Sequence, residues 1–131
     1  GNVAVYAVRG NFDDAQTGVK KVFGDKAIAA RLAELGRVPY SAKKFFVKHQ
    51  DRILFGTDCT PLGMGYHKIY YRFFETKDEY FPYQPEGELP GQGRWAIYGI
   101  GLEDEILKKI YYKNACKVLS LDENRFVGGV R

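Results

Sequence analysis

A chain of 131 residues is the size of one domain and buries roughly two-thirds of the surface its unfolded form exposes. A hydrophobic share of 45% excludes disorder as the overall state, and the 10 Tyr favour half-buried surfaces with wet hydroxyls over a deep oily core. The net charge of +4, from 20 basic and 16 acidic side chains spread along the chain, is too small to point to nucleic acid, so a mixed solvated surface is expected.

The first predicted element is a strand over Asn2 to Val8, apolar on nearly every residue as a strand buried on both faces would be. Asn11 or Asp13 then caps a helix, with Asp13 and Asp14 at its positive end, Ala15, Val19, Val22 and Phe23 on one face, and Gly24 as its stop. Ile28, Leu32 and Leu35 mark a second helical face ended by Gly36. Pro39 and Ser41 open a third helix carrying Tyr40, Phe45, Phe46 and Val47. A second strand is expected over Ile53 to Thr57, and a helix over Tyr66 to Glu75 with Ile69, Tyr70, Phe73 and Phe74 on its apolar face.

Asp78 to Gly93 holds three prolines and three glycines and reads as an ordered surface loop with buried aromatics. Arg94 to Ile100 follows as a short strand or a packed extended segment. Leu102 to Leu119 is the strongest helix, with Glu103, Asp104 and Glu105 in its first turn and Lys113 and Lys117 toward its end. Ile106, Leu107, Ile110, Tyr111 and Val118 build its expected buried face. Residues 121–131 are a tail. Cys59 and Cys116 have no metal-ligand or disulfide spacing, which suggests two free thiols. With no leader, lipidation motif or long apolar run, a soluble cytoplasmic protein without membrane contact is expected.

The segment GNFDDAQTGVK, within residues 1–27, resembles the strand–helix unit of threonine synthase. In that family the unit belongs to the domain carrying pyridoxal phosphate. The Schiff-base lysine and phosphate loop have no counterpart here, and Lys20 and Lys21 read as solvated helix lysines. From residue 28 to 120 the wording changes. AARLAELGRVPYSAKKFFVKHQDRILFGTD, YYRFFETKDEYFPY, GQGRWAIYGIGL and LKKIYYKNACKVL resemble, in order, the last part of an amidohydrolase-related metal-dependent hydrolase. The resemblance implies a (β/α)8 barrel in which RILFGTD is strand eight and LKKIYYKNACKVL the closing helix. Such a barrel needs roughly 250 residues, about twice what stands here. The two resemblances therefore imply a splice, an engineered or library-derived chimera. The expected fold class is α/β: one domain with a small parallel or mixed sheet flanked by helices, like part of a barrel.

The amidohydrolase resemblance makes Asp58 the vestigial catalytic and metal candidate, because that family's strand-eight aspartate binds metal or activates water. A catalytic zinc needs about three protein ligands. The family's strand histidines are absent here, and only His49 and His67 exist, both read as surface or packing groups. Cys59 with His67 is a weaker nucleophile pair. Gly99-Ile100-Gly101 reads as an ordinary turn, and the clusters Tyr66, Tyr70, Tyr71 and Tyr80, Phe81, Tyr83 as core or interface. The leading expectation is a folded chimera with no evolved activity and no cofactor, a homo-oligomer through open sheet edges. The alternatives are residual metal-dependent amidohydrolase or decarboxylase activity centred on Asp58, and a binding module using the aromatic loop of residues 80–95.

Overall fold

A computed structural model describes residues 32–56 and 65–124 of the chain. The expected strand over Asn2 to Val8 and the helix after it lie outside these residues, as do Asp13, Asp14, Lys20, Lys21, Thr57, Asp58 and Cys59.

Helix α1, Leu32–Leu35, is followed by Gly36, where only glycine fits because a Cβ would overlap the Ile97 side chain. Helix α2, Pro39–Lys48, starts with proline in its first turn, where no amide is needed, and buries Ala42 and Phe46. Helix α3, Gly65–Glu75, buries Tyr70, Phe73 and Phe74, three and four residues apart on one face. The last helix has three sections: α4, Asp104–Lys108; a π turn, Lys109–Lys113; and α5, Asn114–Leu119. Glu103 stands just before it as the cap residue, so only Asp104 and Glu105 occupy its first turn.

A helix leaves its last carbonyls without partners. Those of α3 are met from afar: Ile100 N–H donates to the Phe73 carbonyl at 2.8 Å and Leu102 N–H to the Phe74 carbonyl at 2.7 Å. Gly99 sits where this segment crosses the helix end, and a Cβ on it would overlap the Thr76 carbonyl oxygen. Around this crossing lies an aromatic core. Phe74 meets Phe46 and Phe73 edge-on, each with ring centroids 5.1 Å apart, which is the favoured arrangement of their quadrupoles.

The expected α/β sheet is overturned. The described residues are helical and carry no strand. Their one pairing outside helices with both partners described is an isolated antiparallel bridge between Phe81 and Ile97. Ile53 to Gly56 does run extended, but its hydrogen bonds to described residues go to a helix. Phe55 N–H donates to the Ile110 carbonyl at 2.9 Å, and the Ile53 carbonyl accepts from Asn114 Nδ2 at 2.8 Å. The π turn explains this. There the Asn114 amide reaches back five residues to the Lys109 carbonyl, and the widened ladder turns the Ile110 carbonyl toward Phe55. Apolar residues on both faces of 53–55 thus reflect burial among helices, a pattern that periodicity alone does not separate from a parallel strand. With no sheet among the described residues, they offer no open sheet edge for association. Val118, expected on the buried face of the last helix, is 41% exposed.

Candidate functional site

Asp58 and Cys59 lie in 57–64, outside the described residues, so the site expected from sequence is seen only from its flanks. On one flank is Phe55. Its ring stacks on Tyr71 at 5.5 Å, meets Tyr111 edge-on at 5.4 Å, and faces the His67 ring at 6.5 Å. His67 is therefore brought to the segment leading toward Asp58. His49 is placed elsewhere, at the end of α2, its ring 4.8 Å from that of Phe45. Burial holds the His49 imidazole below its ordinary value, and the nearby charges of Lys48 and Arg52 add to this. Those two cations would also repel a bound metal ion. Among the described residues, no group of three His, Cys, Asp or Glu side chains converges as a metal site requires. Cys116 is a buried free thiol.

The aromatic loop is bound into the fold. Phe81 and Tyr83 are buried. The Tyr83 hydroxyl accepts the amides of Gln92 at 2.9 Å and Gly93 at 3.1 Å, and donates to the Gly93 carbonyl at 2.9 Å. Trp95 Nε1 donates to the Ala33 carbonyl at 3.0 Å, while the Arg37 guanidinium covers its ring at 4.3 Å. Arg72 lies 4.2 Å from the Phe81 ring and is held there by Asp78, 2.7 Å from its Nε. These contacts give the loop's large rings structural partners, leaving Tyr80 as its exposed aromatic. Gly99 and Gly101 serve the crossing over α3, and the Gly101 carbonyl accepts Lys43 Nζ at 2.7 Å.

Two surfaces went unseen in the sequence reading. One is a groove of about 510 Å3 along the outer side of α2. Its signal was present in Tyr40, Lys43, Lys44, Val47 and Lys48, a helical stripe opposite Ala42 and Phe46. The other is the end of α5. Ser120 adopts a left-handed conformation with φ 53°, and Leu121 N–H returns to the Cys116 carbonyl at 2.9 Å. This Schellman-type reversal ties Leu121 back to the last turn of the helix, which also carries the exposed Val118 and Leu119.

No family model matches the chain, and no curated protein or solved structure matches it. The two resemblances rest on the quoted segments. No helix of the described residues is long and apolar enough to cross a membrane.

Proposed function

We propose that the chain is a non-catalytic folded unit, spliced from pieces resembling two enzymes, that associates with a second copy of itself through the end of its last helix. The observation carrying this reading is the run of exposed aliphatic side chains there: Leu119 is 65% exposed, and Val118 and Leu121 are 41% each. The run is flanked by opposite charges, Lys117 before it and Asp122 after it, both exposed. In an antiparallel two-fold pairing, Lys117 of each copy meets Asp122 of the other, so the patch complements itself. This route replaces the sheet edges expected from sequence.

The magnitudes set the strength. Covering the exposed parts of six aliphatic side chains, three from each copy, contributes about 6–9 kcal/mol. Lost translational and rotational freedom costs about 4–15 kcal/mol, and the two rim ion pairs add at most about 1 kcal/mol each. A patch of three side chains a copy is far smaller than a stable interface needs, so a weak, concentration-dependent dimer is expected. Light scattering behind size-exclusion chromatography, run over a concentration series, should show the mean mass rising from monomer toward dimer. Leu119→Lys should hold it at the monomer. A monomeric mass at millimolar protein, or a Leu119→Lys variant that associates as well as the parent, sinks the proposal.

A further inference from the structure

The groove along α2 has a composition that selects a ligand. Its floor is apolar, built from Pro39, Tyr40, Val47 and Ile100. Its rim carries the ammonium groups of Lys43, Lys44, Lys48 and Lys77, with no acidic side chain in the lining. Lys43 is partly neutralised, 3.2 Å from Glu103. The Lys44 ammonium rests 4.4 Å over the Tyr40 ring, an attraction that leaves its charge uncompensated. Among the described residues, the Lys48 and Lys77 ammonium groups have no side-chain hydrogen bond or ion pair, although Glu103 lies near enough to feel the Lys77 charge. At about 510 Å3 the groove falls in the size range of small-molecule sites. An open cationic rim around an apolar floor is complementary to a molecule with an anionic head and an apolar body.

From this geometry we infer that the α2 groove is a binding site for a free amphipathic anion, a single alkyl or aryl chain ending in a phosphate or similar head. The chain lies on Tyr40, Val47 and Ile100, and the head is reached by the flexible rim lysines, Lys48 and Lys77 foremost. Neither half suffices. Exposed lysine–anion pairs contribute about 0.2–1 kcal/mol each, too little to hold inorganic phosphate alone. A shallow apolar floor alone does not prefer an anion.

The test is isothermal titration of the whole chain with dodecyl phosphate below its micelle concentration. One-to-one binding that weakens with added salt is expected. Inorganic phosphate, and dodecyltrimethylammonium with the same tail and opposite charge, should each bind at least about tenfold more weakly. The double variant Lys48→Glu/Lys77→Glu, at two exposed positions, should lose about tenfold or more in affinity while still unfolding cooperatively, its melting temperature lowered only by the lost cation at the end of α2. Lys77→Glu alone, outside any helix, should lose part of that. The charge-matched control Lys68→Glu/Arg94→Glu, away from the groove, should bind as the parent does. The inference is overturned if the groove variants bind unchanged, if the control loses as much as they do, or if the cationic detergent binds equally well. It is also overturned if the protein binds phosphatidic acid vesicles but not the free amphiphile.

Discussion

Asn114 is the described residue whose role was least visible in the sequence. It stands at 4% exposure, and its amide nitrogen donates to two backbone carbonyls, Gln50 at 2.7 Å and Ile53 at 2.8 Å. Within the string YYKNACK it is one polar helix residue among several. Nothing local tells that residues sixty positions earlier need its protons. Removing it strands two carbonyls away from water, so Asn114→Ala should lower stability by about 2–4 kcal/mol in urea unfolding. Asn114→Asp should be worse at neutral pH, because a buried carboxylate faces two acceptors. It should regain stability as the solution is acidified and the carboxyl gains a proton to donate. Tyr111 was placed correctly on the inner side of its helix, but its partner was not foreseen. Its hydroxyl donates to Glu75 Oε1 at 2.7 Å, and burial, then that bond, push its ionisation well above the usual tyrosine value. A raised folded value gives stability that is whole below the unfolded tyrosine's pKa of about 10 and is lost as pH climbs beyond it. Melting temperatures should therefore fall above about pH 10, and fall less steeply in Tyr111→Phe.

At the scale of elements, the helices, the ordered loop of 78–93 and the packed extended segment of 94–100 were readable, and the surroundings of 53–55 were not. The 70, 73, 74 spacing gave α3, the proline gave the start of α2, and the acidic first turn and apolar face gave the last helix. Ile53 to Phe55 looked like a strand because burial on all sides leaves the same apolar run whether strands or helices surround it. The π turn that receives it leaves no mark in KIYYK. The resemblance to a barrel's eighth strand reinforced the wrong assignment. Gly99 is where element geometry is tightest. Gly99→Ala should push 98–102 off the end of α3 and cost at least about 2 kcal/mol, since the Phe73 and Phe74 carbonyls lose good donors. Gly91→Ala, where nothing lies within 4 Å, is the matched control and should be near neutral in the same thermal melts.

Taken whole, the molecule holds together through ties between distant stretches of chain. Composition foretold half-buried tyrosines, and Tyr66, Tyr98, Tyr111 and Tyr112 are such. The groove and the exposed helix-end run stayed hidden because each depends on which side of a helix the rest of the fold leaves uncovered. Trp95 reaches Ala33, Asn114 reaches Ile53 and Lys43 reaches Gly101, spans of 62, 61 and 58 residues. The α3 end has a consequence of the same kind. Water must serve the Phe73 and Phe74 carbonyls until the ribosome has made residues 100 and 102, so the helix emerges without its final partners. A chain that is helical in content but wired this way should fold slowly, closer to the milliseconds-to-seconds of β-rich domains than to the microseconds of simple bundles.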